Sequence, residues 1–174
     1  GATDESHAEL QDQIEIEMDA FKPESIYKRL NTAEEVLGAW PVETTWQGDR
    51  AFYQTREDRI TMPAKKLFQT TEGMYSTWAH EQVHSTGHES RLNRDMGPDT
   101  LVYAREELVA ELGAFLICNK LQICSDELNH AAYLKHWIEV LQQRPDALRL
   151  ALSDASKAAG LICKDLDQQV EVNM

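Results

Sequence analysis

The 174-residue chain is poor in cysteine and has no long apolar run. Its three cysteines, Cys118, Cys124 and Cys163, are too few and too irregularly spaced for a disulfide framework or a zinc ribbon. We therefore expect buried thiols in a reducing compartment, and hence a cytoplasmic protein. No stretch approaches the roughly 20 apolar residues that a membrane helix requires. The sequence thus predicts no membrane-spanning segment and no membrane partner.

Basic residues are also scarce. The chain has 17 Lys and Arg against 30 Asp and Glu, which gives a formal net charge of −13. Proteins that grip a phosphate backbone do so with clustered basic side chains, and here these are few and scattered. The composition therefore argues against direct nucleic-acid binding by this segment. Residues 1–20 are especially acidic, and we interpret them as a mobile lead-in to one domain over residues 21–174.

The rest of the chain has the periodicity of helices and short strands. A first helical segment ends at Gly38, and β-branched and aromatic residues then concentrate in three stretches between residues 42 and 62. Polar turns separate these stretches, which predicts a small antiparallel sheet. Further helices are predicted over residues 72–86, 99–121, 126–142 and 145–163. The pattern predicts an α+β fold in which a small sheet packs on a mainly helical body.

One of these helices carries the motif His-Glu-x-x-His at residues 80–84. Because a helical turn takes 3.6 residues, His80 and His84 project from the same face and can bind one metal ion. Glu81 can act from the side as the general base for water that the metal activates. Apolar neighbours such as Trp78 indicate that the helix is partly buried. The motif is typical of zinc peptidases and places their chemistry on this helix.

A catalytic zinc site needs a third protein ligand and an open fourth position. Glu107 and Glu111 lie four residues apart on one face of the next predicted helix, beside two alanines that allow close approach to the His80 helix. We predict Glu107 as the third ligand. Glu111 is then the carboxylate that accepts a hydrogen bond from a ligand imidazole. Glu106 is an alternative ligand if the helical phase differs by one residue, and Glu111 itself is another.

His88 is a further alternative ligand, because it follows His84 by four residues. Gly87 is a predicted helix C-cap, however, so we expect His88 to line the cleft or to hydrogen bond with a carbonyl group. The metzincin pattern requires a histidine at position 90, where this chain has Ser90. The metzincin subclass is therefore disfavoured. Candidates for polarising a scissile carbonyl, which the sequence does not rank, are Tyr53, Tyr103, His88 and His130.

In combination, several stretches resemble the zincin-like metallopeptidase domain of ArdC-type antirestriction proteins, which plasmids and phages carry. The stretches that carry the resemblance are residues 48–53, 58–63, 80–88, 91–94, 103–112 and 130–134. The resemblance implies a gluzincin-like site with His80 and His84 as ligands and Glu81 as base. It also implies a glutamate ligand from the second helix, which we place at Glu107.

Proteins of the ArdC type usually carry a separate N-terminal domain that binds single-stranded DNA. The printed sequence has no counterpart of it, so we expect any DNA role to belong to sequence outside this chain. The leading hypothesis is a metal-dependent peptidase of an antirestriction or mobile-element protein, acting on a protein or peptide substrate. Zinc is the expected metal and manganese the alternative. The competing hypothesis is a protein-interaction module that keeps the metal-binding zincin scaffold and cleaves nothing.

Overall fold

The computed structural model describes residues 26–123, 127–166 and 168, so the predicted lead-in over residues 1–20 lies outside the described residues. The elements follow in the order α1 (Ile26–Gly38), β1 (Glu43–Trp46), β2 (Phe52–Gln54), β3 (Arg59–Met62), α2 (Thr71–Thr86), α3 (Thr100–Lys120), α4 (Glu127–Leu141) and α5 (Pro145–Ile162). The α+β prediction is confirmed. The four helices predicted after the sheet differ from the observed bounds by no more than a residue at either end.

The sheet differs from the antiparallel arrangement that the sequence predicts. Its strand order is β1-β3-β2, and β3 pairs antiparallel with β2 but parallel with β1. The central place goes to β3 because its Ile60 and Met62 are fully buried, whereas β1 and β2 hold only exposed or half-buried residues. The all-antiparallel prediction is therefore wrong for β1. Residue pattern locates strands in the chain, but it does not fix the order in which they pair.

Helix α2 is buried on most sides, and several of its polar side chains donate hydrogen bonds to neighbouring elements. The indole N–H of Trp78 donates to the hydroxyl of Thr44 in β1 at 3.0 Å. The amide of Gln82, which is 1% exposed, donates to the backbone oxygen of Leu37 in α1 at 2.7 Å. A helix held on several sides in this way fixes the direction of the side chains it presents to the remaining face.

Helix α3 packs against both α2 and α5, and small residues allow it to approach α2 closely. A Cβ atom at Gly113 would lie 2.8 Å from both γ carbons of Val83, which is closer than real contacts allow. Ala110 and Ala114 are completely buried on the same helix. This approach brings the glutamates of α3 opposite the histidines of α2. No helix within the described residues combines the length and apolarity needed to cross a bilayer.

Candidate metal centre

Three side chains from α2 and α3 converge with atoms suited to bind metal. The Nε2 atoms of His80 and His84 lie 3.1 Å apart. The Glu107 carboxylate lies 3.5 Å from Nε2 of His80 and 3.1 Å from Nε2 of His84. Ligand atoms around a tetrahedral Zn²⁺ with bonds of ~2.0–2.1 Å are separated by about 3.3 Å. The spacing and the donor chemistry of these three groups therefore fit the protein ligands of one divalent metal ion.

Each imidazole also meets a second carboxylate at its other nitrogen. Nδ1 of His80 lies 3.1 Å from Oε1 of Glu111, and Nδ1 of His84 lies 3.2 Å from Oε1 of Glu106. In the neutral tautomer with its proton on Nδ1, each imidazole donates to its carboxylate and directs the Nε2 lone pair toward Glu107. Glu111 thus lies in the position predicted for a supporting residue. The structure places Glu106 beside His84 rather than at the point where the Nε2 atoms converge.

The buried imidazoles and carboxylates shift one another's pKa. Burial lowers the pKa of His80, but hydrogen bonds to Glu107 and Glu111 outweigh burial and raise that pKa to about 10. Burial raises the pKa of Glu107, but hydrogen bonds to both histidines outweigh it and hold that pKa well below the usual range. The donor set is therefore charged and tightly paired. A metal ion that binds it displaces protons from the imidazoles.

The cluster forms one wall of a cavity of about 500 Å³. Glu81 belongs to the same wall and is only 6% exposed. Burial raises the pKa of its carboxyl, against the opposing attraction of His80 and His84. The remaining lining residues are Ala51, Phe52, Tyr53, Met96, Gly97, Tyr103 and Glu106. The three candidate ligands and Glu81 therefore line the same cavity as strand β2 and the start of α3.

The two tyrosines predicted at the cleft both line this cavity, but their hydroxyls differ. The hydroxyl of Tyr53 donates to Oδ1 of Asp58 at 2.7 Å, and Asp58 is ion-paired with Arg91. Tyr103 is 54% exposed, and its ring meets the Trp137 ring edge-on at 5.7 Å. Tyr103 thus lines the cavity as a largely exposed side chain, whereas the hydroxyl proton of Tyr53 is donated to Asp58 within the fold.

The structure does not place His88 in the cleft. Gly87 ends α2, and His88 lies in the turn that follows, where its backbone N–H donates to the oxygen of Ser85. Its Nδ1 lies 2.7 Å from the hydroxyl of Ser90. His88 therefore lies beyond the end of the helix that carries His84 and is not among the residues that line the cavity. The side chain of His130, the fourth candidate for carbonyl polarisation, lies outside the described residues.

Arg94 belongs to the centre although sequence reasoning assigned it no role. Its side chain is 3% exposed and pairs with the Glu106 carboxylate at 2.7 Å. Burial raises the pKa of Glu106, but hydrogen bonds from Arg94 and His84 outweigh burial and lower it. The one available signal is an arginine in the Arg-Leu-Asn-Arg stretch at residues 91–94, just after the motif helix. A single arginine is usually a surface residue, so this signal is weak.

Comparisons with known proteins identify the family of this chain. The profile of the family described as zincin-like metallopeptidase matches residues 31–154, well over half of the chain. Two proteins named DNA primase TraC from Escherichia coli are 37% identical over 153 residues and 30% identical over 185 residues, covering 86% and 92% of this chain. Uncharacterized protein y4eC of Sinorhizobium fredii is 29% identical over 135 residues, or 76% of the chain. The chain spans only 11%, 17% and 44% of the lengths of these three relatives.

Two crystal structures of the antirestriction protein ArdC from plasmid R388 share the fold. The Mn(II)-bound structure has a TM-score of 0.64 and 36% identity, and the match covers 79% of this chain and 51% of ArdC. The metal-free structure has a TM-score of 0.62 and 35% identity, covering 80% and 50%. The chain therefore belongs to the zincin-like metallopeptidase family and is homologous in sequence and fold to ArdC antirestriction proteins.

Proposed function

We propose that this domain hydrolyses peptide bonds with one divalent metal ion held by His80, His84 and Glu107. The observation that carries the proposal is the convergence of their ligand atoms within 4.8 Å of one another at the wall of a cavity. If bound by these residues, a divalent ion would supply Lewis-acid chemistry, polarising a substrate carbonyl and lowering the pKa of a water molecule. Two imidazoles and a carboxylate suit both Zn²⁺ and Mn²⁺, and such sites bind Zn²⁺ more tightly. The Mn(II) in the ArdC structure supports manganese as the alternative ion.

Glu81 is the proposed general base. It follows His80 directly on α2, so its carboxylate reaches the cavity from beside the ligand face. In the proposed reaction Glu81 takes a proton from the attacking water and passes it to the departing amine. Its burial excludes bulk water, which would otherwise compete for that proton.

Strand β2 is the proposed docking edge for an extended peptide. It pairs with β3 on one side and lies at the end of the strand order, so its other edge has backbone groups to offer a substrate. Phe52 of this strand lines the cavity and is 39% exposed. We propose that substrate lies along β2 and that Phe52 contacts an apolar side chain of it.

Tyr103 is the proposed donor to the oxygen of the scissile carbonyl. It precedes Glu107 by one helical turn, so both side chains lie on the same face of α3. The charge of Glu107, with some burial, raises the pKa of the Tyr103 hydroxyl. Tyr53 is less suited because its hydroxyl proton is donated to Asp58.

A second candidate function is a protein-binding module that does not cleave its partner. The names of the relatives favour it, since they describe a primase and an antirestriction protein rather than a peptidase. On this reading the cavity and β2 hold a partner protein and the metal is structural. Both candidates place any DNA contact of a larger protein outside this segment, as the net charge of −13 suggests.

The Glu81→Gln variant separates the two functions. We expect the zinc- or manganese-loaded protein to generate new peptide termini in a denatured protein substrate, detected by mass spectrometry. Glu81→Gln should keep the fold and the metal but lose about 10²- to 10⁴-fold in rate, which is the usual contribution of a general base. Glu89→Gln, an exposed glutamate in the turn after α2, is the matched control and should retain activity. A wild-type protein that binds neither ion contradicts the proposal, and one that binds metal but cleaves nothing favours the binding module.

A further inference from the structure

The turn after α2 carries Arg94 back onto the helix that holds the histidines. Asn93 adopts a left-handed conformation with φ of 49°, and the N–H of Arg94 donates to the oxygen of Gly87 at 3.0 Å. The absence of a side chain at Gly87 makes room for this return, because a Cβ atom there would lie 2.9 Å from Nη2 of Arg94. The backbone after the motif is therefore shaped around a buried arginine.

All three nitrogens of the Arg94 guanidinium are used. Nε and Nη2 donate to the two oxygens of Glu106 at 2.9 and 2.7 Å. Nη1 donates to the hydroxyl of Thr86 at 2.7 Å, and Nη2 also donates to the backbone oxygen of Val83 at 2.9 Å. A two-point contact of this kind fixes both the position and the plane of a carboxylate. Thr86 and Val83 belong to α2, so the guanidinium is itself anchored to the motif helix.

The fixed carboxylate of Glu106 in turn contacts a candidate ligand. Its Oε1 atom, the one that also accepts from Nη2 of Arg94, lies 3.2 Å from Nδ1 of His84. We propose that Arg94 is a positioning residue of the metal centre: it locks the Glu106 carboxylate, which orients the His84 imidazole with its Nε2 toward Glu107. This inference rests on the proposed metal site. It assigns Glu106 to supporting His84 and not to binding the ion.

Removing Arg94 has consequences beyond one lost contact. Glu106 is 6% exposed, and a buried carboxylate without its cation is strongly destabilised and tends to rearrange. Lysine would keep the positive charge, but an ammonium group does not reproduce the planar fork that spans both carboxylate oxygens. Loss of a residue that hydrogen bonds with a ligand histidine typically weakens metal affinity by about 10- to 100-fold. Metal affinity should therefore fall in both variants, by less in Arg94→Lys than in Arg94→Met.

Metal affinity, measured by chelator competition with Zn²⁺ and Mn²⁺, tests the proposal without relying on activity. We expect Arg94→Met and Glu106→Gln each to weaken affinity by about 10- to 100-fold. Because Arg94 is proposed to act through Glu106, Arg94→Met should add little in the Glu106→Gln background, whereas independent effects would add. Arg105→Met is the matched control. It removes the arginine next to Glu106 in the sequence, whose 3.2 Å ion pair is with Asp154 and not with a residue that contacts the histidines. Its metal affinity should equal that of the wild type.

Circular dichroism of the metal-free variants distinguishes lost affinity from lost fold. If Arg94→Met does not fold, Arg94→Lys and the nearly isosteric Glu106→Gln carry the same comparison. Folded variants at Arg94 and Glu106 that bind metal as tightly as the wild type overturn the inference, and so do fully additive losses in the double variant. A wild-type protein that binds neither ion contradicts instead the proposed function on which the inference rests.

Discussion

At the scale of single residues, each candidate ligand histidine has its own supporting carboxylate. Glu111 contacts His80, while Glu106 contacts His84 and is itself gripped by a buried arginine. Helical periodicity is sufficient to predict His80 and His84 as neighbours, because one-turn spacing is a local property. Glu107 lies on another helix, so its prediction depends on the small residues beside it and on the family resemblance. The contact of Arg94 depends on a left-handed residue and a return of the chain, which no local pattern indicates.

Tyr103→Phe tests the proposed carbonyl donor at the same scale. Loss of one donor to a developing negative charge costs about 10²- to 10³-fold in rate, so kcat should fall while KM and metal affinity stay near wild-type values. Steady-state kinetics on a peptide substrate measures both constants. Tyr53→Phe is the paired variant. It should lower the melting temperature and leave kcat near the wild-type value, because the Tyr53 hydroxyl is hydrogen-bonded to Asp58 within the fold. A larger loss of kcat in Tyr53→Phe than in Tyr103→Phe would reverse the two roles.

At the scale of elements, the approach of α3 to α2 depends on a residue without a side chain. Gly113→Ala places a methyl group 2.8 Å from the γ carbons of Val83, and overpacking of this kind costs about 1–3 kcal/mol. Gly160→Ala in α5 is the control, since a Cβ atom there meets nothing within 4 Å. It should stabilise the fold by roughly 0.5–1 kcal/mol through helix propensity. Thermal unfolding of the two variants should show opposite shifts, and a stabilised Gly113→Ala would mean that the helices are not in close contact.

The hairpin of β2 and β3 is tied to the end of α2 by one arginine. Arg91 donates from Nε to the backbone oxygen of Ser85 at 2.7 Å and pairs with Asp58 in the hairpin turn. The hydrogen bonds from Arg91 lower the pKa of the Asp58 carboxyl below its ordinary value of 3.8. This contact holds the docking edge proposed for substrate next to the motif helix.

The lowered pKa of Asp58 predicts how this tie depends on pH. A carboxyl whose pKa is lower in the folded than in the unfolded protein stabilises the fold at every pH above its ordinary pKa, here 3.8. That stabilisation is lost as the pH falls from 3.8 through the lower pKa of the folded protein. Asp58→Asn should therefore melt below the wild type near neutral pH, and the difference should shrink once the pH is below 3.8. Melting curves of the two proteins across this range make the comparison. A difference that grows with acidity contradicts it.

At the scale of the whole molecule, the sequence predicts the class of fold correctly but not the way in which the strands pair. The predicted helices formed because their residue patterns are local to each segment, and α2 has in addition a local N-cap in Thr70, whose hydroxyl accepts from the N–H of Gly73. The position of β1 beside β3 depends on the burial of Ile60 and Met62 among other elements. That burial becomes visible only once the core is assembled, so the sequence alone does not predict the pairing. The family relationship extends across most of this chain but only part of its relatives. The activities of those larger proteins therefore do not transfer directly to it.

The central claim is that one metal ion lies between α2 and α3. Anomalous X-ray diffraction at the zinc absorption edge, on crystals of the zinc-loaded chain, tests it most directly. We expect one strong peak at about 2.0–2.2 Å from Nε2 of His80, Nε2 of His84 and a carboxylate oxygen of Glu107. Glu106 should remain paired with Arg94 in the same map. A peak bound by Glu106 in place of Glu107, or the lack of any peak at the two histidines, would contradict this metal site.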